Sequence, residues 1–237
     1  MAILQYRERL NPEKVNGALS GLLQKRLVLT GMDTTPSPAI TCDMRVNQDA
    51  QRGKVIEFIT TTPMSCSVRD ANEILWKELT MCRDHPNKVY KYMKGAKPNS
   101  HEMNFVMSAR SPFGMLELNG LQYMEKFEET GRPVFVVAER TKLASKNFAF
   151  RDDCWMTVTP SSVKPNASVV EIHLQLYMER DEELQLSPED ISYAQDRVMG
   201  SLGNAFRKFF QAQQNTLMEK AGRAVPPSST SKLSIIV

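Results

Sequence analysis

The sequence predicts an α+β fold in which a curved antiparallel sheet holds one long C-terminal helix in its concave face. Two observations predict it. Six consecutive segments between residues 88 and 179 alternate apolar with polar side chains, which is typical of strands with one buried face. From residue 187 the apolar side chains return at helical spacing and keep it to about residue 221.

The first part of the chain predicts a helix, two strands and a second helix. Asn11 can cap the first helix, and Pro12 suits its first position. Ser67 and Asp70 have the spacing of a capping box at the start of the second helix. In chain order these four elements are expected over residues 12–29, 40–46, 54–61 and 67–82.

The six strands are expected over residues 88–94, 101–109, 115–127, 133–141, 147–159 and 168–179. The last is the clearest, because its even-numbered residues are apolar and its odd-numbered ones are mostly polar. A shift by one residue would expose the whole apolar set, so the pattern fixes the register. We expect one inward-facing group made of Val170, Ile172, Leu174, Leu176 and Met178 with Phe148, Phe150 and Met156.

The long final helix begins at Ser187, with Pro188 in its first position. Gly200 and Gly203 lie inside it, and each costs up to about 1 kcal/mol relative to alanine. Such glycines indicate a close approach to a sheet, a close approach to a ligand, or a kink. The apolar face of the helix is expected to comprise Ile191, Ala194, Val198, Leu202, Phe206, Phe209 and Leu217.

Composition and charge bound the function. The 237 residues predict one domain over 40–221, preceded by a helix and linker over 1–39 and followed by a disordered tail over 222–237. No apolar run is long enough to span a membrane, and the first ten residues do not resemble a secretory signal. The four cysteines are far apart, which favours free thiols and a cytoplasmic location. The net charge of +3 is too small to indicate nucleic acid.

The order of elements resembles the START domain, the lipid-transfer branch of the helix-grip superfamily. Residues 56–60 followed by Leu75-Trp76 are similar to its first core strand and helix, and residues 133–141, 155–160 and 169–177 resemble its late strands. Residues 120–127, 150–156 and 213–217 look like START-like proteins of oomycetes. The resemblance covers about residues 40 to 217.

The resemblance implies a non-enzymatic protein that binds a lipid or another hydrophobic ligand under the final helix, with transient contact to a membrane surface. A curved sheet cannot easily fill its own middle, so this space is the natural place for an apolar ligand. The alternatives are a protein-interaction module with a collapsed pocket and a helix-grip enzyme. The expected lining residues, which would otherwise be ordinary core, are Met103, Phe105, Met107, Leu116, Leu118, Phe148, Phe150, Asp152, Met156, Ile172, Leu174, Leu176, Val198, Leu202 and Phe206.

One polar residue stands out in that set. Asp152 shares its strand face with Phe150, Cys154 and Met156, where a carboxylate must pair with a cation or take up a proton. Arg140 on the neighbouring strand is the expected partner, and the two would meet a ligand headgroup. The alternative is a bulge that turns Asp152 outward.

Sets of residues with catalytic spacing are missing. The chain contains neither a G-x-S-x-G nucleophile turn nor a glycine-rich phosphate loop. Cys82 and His85 have the spacing of half a zinc site without the other half. His173 lies on the polar side of its strand, as a surface histidine does. The adjacent acids Asp152 and Asp153 would point to opposite faces of a strand. We therefore expect no catalytic residues, no metal and no cofactor.

Overall fold

The computed structural model describes residues 39–81, 87–111, 114–129, 132–146, 148–179 and 186–224. Eight strands form one antiparallel sheet with the order β1-β2-β8-β7-β6-β5-β4-β3. The strands are β1 Thr41–Asp49, β2 Gly53–Met64, β3 Lys88–Lys97, β4 Ser100–Ser111, β5 Gly114–Glu129, β6 Arg132–Leu143, β7 Ala149–Pro160 and β8 Ser168–Glu179. The predicted continuous sheet is confirmed. The helix expected over 12–29 lies outside the described residues, as does the predicted tail beyond residue 224.

Two helical regions pack on one side of the sheet. Helix α1 (Val68–Thr80) begins after Ser67, whose Oγ accepts a hydrogen bond of 3.2 Å from the Asp70 amide, as the capping box predicts. The second region runs without a break through α2 (Pro188–Ser192), a π-helical turn (Tyr193–Val198) and α3 (Met199–Ala224). We call this region the C-terminal helix. Among the described residues, no helix is long and apolar enough to cross a membrane.

Strand β8 confirms the predicted register. Its even-numbered residues from Val170 to Met178 are all buried, and they join Phe148, Phe150 and Met156 in the main core. Glu171 and His173, with the opposite parity, are only half-buried. His173 stacks on Trp155 with the ring centroids 5.2 Å apart, on the side of the sheet away from the helices.

Strand β6 is buried on both sides. Phe135 and Val137 belong to the main core under the helices, whereas Val134 and Val136 pack with Trp155 on the other face. A continuous apolar run of this kind gives no period from which the inward face can be chosen. The sequence of β6 therefore does not show whether Glu139 or Arg140 faces the helices.

The C-terminal helix packs closely against β2. Phe58 of β2 contacts the rings of Phe206 and Phe210, with centroids 6.2 and 5.6 Å apart. At Gly203 a Cβ atom would lie 3.3 Å from Ile56 Cδ1, so this glycine permits the contact between helix and sheet. The apolar stripe continues through Phe210 and not through Phe209. The prediction that Phe209 faces the core is therefore wrong, because that side chain is 45% exposed.

Candidate functional site

The structure brings the predicted lining residues together. The apolar members lie in one hydrophobic cluster that also includes the inward face of the C-terminal helix. Phe105, Leu118 and Val198 have no exposed surface, and within the set only Met107 and Phe206 are half-buried. A side chain that lines an empty space large enough for water keeps surface that water can touch. The space around these residues is therefore filled by protein atoms, and their role in contacting a ligand stays a prediction.

The predicted pair of Arg140 with Asp152 must be corrected. Residues directly opposite each other in an antiparallel pair point to the same face, and Arg140 is opposite Arg151, not Asp152. Arg140 forms an ion pair with Glu179 on the face away from the helices. The residue opposite Asp152 is Glu139. The outward bulge considered for Asp152 is also wrong, because the register pairs it with Leu176, whose side chain lies in the main core.

Three polar side chains instead meet in the middle of the apolar face. Gln122, Glu139 and Asp152 occupy one row across β5, β6 and β7, and we call them the carboxyl cluster. Gln122 Nε2 donates a hydrogen bond of 2.9 Å to Glu139 Oε2. Glu139 is 6% exposed, and its carboxyl group is also hydrogen-bonded to that of Asp152. Two carboxyl groups that share a hydrogen bond need a proton between them.

Burial is the main influence on this pair. It raises the pKa of Asp152 well above that of an exposed aspartate, and the negative charge of Glu139 raises it further. Burial also raises the pKa of Glu139, while the Lys88 charge and the hydrogen bond with Asp152 act in the opposite direction. The environment of the cluster therefore favours the protonated form of both carboxyl groups, and most strongly that of Asp152.

Lys88 supplies the compensating charge. It lies on the edge strand β3, and its Nζ atom is 3.6 Å from the centroid of the Phe105 ring. Its positive charge lowers the pKa of both carboxyl groups of the cluster, so the ammonium group faces the same interior. The two carboxyl groups and the Gln122 amide, with a cation nearby, can together donate to and accept from a hydroxyl or carbonyl group.

The adjacent acid Asp153 has a separate role. Its carboxylate accepts hydrogen bonds from Arg151 Nε at 3.1 Å and from the Tyr177 hydroxyl at 2.9 Å, on the face away from the helices. The prediction that Asp152 and Asp153 point to opposite faces is confirmed. Asp153 therefore contributes charge to the neighbourhood of the cluster without belonging to it.

The sequence interpretation missed Glu139, Gln122 and Lys88. Glu139 shares its parity with Phe135, Val137 and Leu143, so the signal was present once the inward face of β6 was known. Gln122 has the parity of Leu116, Leu118 and Met124 on β5 and could have been found directly.

The cysteines and the spacing that resembled half a zinc site remain to be placed. Cys42, Cys66 and Cys154 are free thiols, whereas Cys82 and His85 lie outside the described residues. Within the described parts of the chain, no group of three His, Cys, Asp or Glu side chains could hold a metal ion.

No protein-family model and no curated protein sequence matches the chain. Among solved structures, the ZhuI aromatase/cyclase from Streptomyces sp. R1128 is 8% identical, with 74% of this chain and 98% of that chain covered and a TM-score of 0.47. Human STARD10 is 8% identical, with 84% and 78% covered and a TM-score of 0.45. A START superfamily protein from Mycobacterium smegmatis is 9% identical, with 71% and 99% covered and a TM-score of 0.38.

The strand order of the chain and its enclosed C-terminal helix form the curved-sheet, helix-grip α+β arrangement that the sequence predicts. The narrower likeness to oomycete START-like proteins stays a prediction.

Proposed function

We propose that the protein binds a lipid or another hydrophobic ligand between the sheet and the C-terminal helix, and that the carboxyl cluster holds the polar end of that ligand. The observation that carries the proposal is the position of Glu139 and Asp152, buried together in the middle of an apolar face. A hydroxyl group on the ligand would accept from the protonated carboxyl and donate to the carboxylate. A sterol or a long-chain alcohol has this chemistry.

The energetics support a role in binding. Burying carboxyl groups costs several kcal/mol unless partners compensate for the lost water. Apolar side chains of similar volume at these two positions would remove that cost. Buried ionisable groups with strongly shifted pKa values are therefore candidates for functional sites. The cluster also lies on the sheet face that the C-terminal helix packs against.

Ligand entry requires the filled interior to open. Six methionines belong to the core cluster of the described residues, and their flexible side chains can repack around an inserted molecule. Two ion pairs of 2.8 Å tie the first half of the C-terminal helix to the rest of the fold, Lys54 of β2 with Asp196 and Lys146 of the β6–β7 turn with Asp190. Both are exposed to solvent, and exposed ion pairs contribute little to stability. The π-helical turn lies at the same end, where helices commonly bend.

The filled interior also favours a second candidate, a protein-interaction module whose pocket stays collapsed. In that case the carboxyl cluster would be a structural feature of the core, and no lipid would enter. The two candidates differ in whether the purified protein carries or takes up a hydrophobic ligand.

The proposed role is non-enzymatic and cytoplasmic. A carboxyl pair that shares a proton can take part in acid–base chemistry, so a helix-grip enzyme would use the same residues. Chemical change in a bound ligand would replace the binding role with a catalytic one.

Native mass spectrometry of the protein purified from its own cells tests the proposal, together with binding of a fluorescent sterol and a fluorescent fatty acid. We expect a co-purifying lipid. We also expect sterol binding to weaken about tenfold in Glu139→Gln, because a hydrogen bond to a charged group is lost. Glu117→Gln, which makes the same change at an exposed position of β5, is the control. If no lipid co-purifies and the protein binds neither probe, the proposal is wrong and the interaction module is favoured.

A further inference from the structure

A groove of about 710 Å³ lies between the end of β4 and the C-terminal helix. Arg110 lines its sheet side, and Asn204, Arg207, Lys208 and Gln211 line its helix side. These helix positions are three or four residues apart and so form one stripe on the helix surface. Each of the five side chains ends in hydrogen-bond donors, and three of them are positively charged.

The groove is unusual because acidic residues are missing from both of its walls. The sequence has no Asp or Glu between Glu102 and Glu117 on the sheet side. It has none between Asp196 and Glu219 on the helix side, and those two residues form ion pairs with Lys54 and Arg223. The fold therefore brings two acid-free stretches of chain together, and residues of both stretches line the same groove.

The ion pairs between described residues do not include Arg110, Arg207 or Lys208. All three residues are exposed in the structure. Three like charges around one groove repel one another, and an anion bound between them would relieve that repulsion. Guanidinium groups match phosphate oxygens in a two-pronged geometry that a monatomic anion cannot use.

We propose that this groove binds the phosphate group of a larger ligand. Its volume falls in the range of small-molecule sites and far exceeds that of a lone phosphate ion. Two large exposed apolar side chains neighbour the lining residues in the strand register or in the sequence: Met115, opposite Arg110 in the β4–β5 register, is 61% exposed, and Phe209, which follows Lys208, is 45% exposed. Such a border suits a phospholipid headgroup, although a soluble phosphate ester has the same binding chemistry.

The site lies at the surface and does not depend on ligand binding in the interior. Its test can therefore fail or succeed separately from that of the proposed function. The variant Glu139→Gln should leave phosphate binding at the groove unchanged, because Glu139 does not line it.

Two binding assays on the full chain distinguish the sources of phosphate. The first measures flotation with phosphatidylcholine vesicles that contain or lack phosphatidic acid. The second measures glycerol 3-phosphate binding by calorimetry, and its ability to compete with the vesicles. Binding in the vesicle assay alone identifies a lipid headgroup, whereas binding in both assays with competition identifies a soluble phosphate ester. Either result supports the site, and no binding in either assay overturns it.

Charge-removing variants locate the site. Arg110→Gln, Arg207→Gln and Lys208→Gln should each weaken binding about tenfold, because each removes a charge-assisted contact. Arg69→Gln on α1 and Lys164→Gln in the β7–β8 loop are exposed controls that make the same change in net charge. Circular dichroism and thermal unfolding verify that all five variants are folded. If the control variants weaken binding as much as the groove variants do, the attraction is a general effect of net charge and the proposal is wrong.

Discussion

The contact between Phe105 and Gly120 offers a sharp test of how the interior is packed. The two residues are opposite each other in the β4–β5 register, and the ring lies over the glycine. A Cβ atom added at Gly120 would fall within 2.8 Å of three ring atoms, Cζ, Cε2 and Cε1. Carbon atoms in contact are about 3.5–4 Å apart, so the ring of Phe105 would have to shift by roughly 1.5 Å.

Gly120→Ala should therefore destabilise the protein. In an unhindered strand the same change would gain about 0.5–1 kcal/mol. Here Phe105 is fully buried, and overpacking of a core costs about 1–3 kcal/mol. We expect a net loss of about 1 kcal/mol, which corresponds to a fall in Tm of roughly 2–4 °C for a chain of this size. Urea and thermal unfolding measure both quantities.

A double-mutant cycle separates this clash from a general weakness of the strand. Phe105→Leu removes the ring atoms that the new methyl group would meet, and alone it costs about 1–3 kcal/mol. The double variant should lose at least about 1 kcal/mol less than the sum of the two single losses. If the losses add to within about 0.5 kcal/mol, the ring does not lie over the glycine and the reasoning is refuted.

Three further predictions concern the helix, the carboxyl cluster and the thiols. Gly200→Ala should raise the free energy of unfolding by up to about 1 kcal/mol, because open space surrounds its Cβ position. Gly203→Leu should lower the free energy of unfolding by about 1–3 kcal/mol, because the new side chain would collide with Ile56. Urea unfolding that ranks the two variants in the reverse order would contradict this packing. Because burial raises the folded-state pKa of Glu139, its contribution to stability should fall as the pH rises from about 4 towards neutrality, so the stability of Glu139→Gln relative to wild type should increase over that range; an unchanged difference in urea unfolding would count against the cluster. A thiol reagent should modify native Cys42 well before Cys154, whose pKa burial raises well above that of a free thiol, and equal rates followed by mass spectrometry would contradict this order.

Most of the fold could be predicted because its strands are half-buried. In β8 polar and apolar residues alternate at nearly every position, so the sequence predicts both the strand and its inward face. The start of the C-terminal helix was equally clear from Ser187 and Pro188. At both places the residues themselves indicate the structure: the alternation marks a half-buried strand, and a serine followed by a proline marks the start of a helix.

The candidate site was harder to predict, for a physical reason. Strand β6 carries five apolar residues in a row, Val134 to Ala138, and both of its faces are covered. Periodicity cannot then tell Glu139 from Arg140, and a cation seemed the better partner for Asp152. The register of β6 against β7 decides otherwise, and register is a property of the paired strands rather than of either sequence alone.

The π-helical turn at Tyr193–Val198 fixes the angular phase of everything that follows it. Such a turn arises when one residue is added to an α-helix, and one residue corresponds to a rotation of about 100°. Before the turn, Asp190 faces Lys146; after it, Arg207 faces the groove beside β4. The inserted residue therefore rotates all later side chains around the helix axis. Without it, Arg207 would point to another side of the fold.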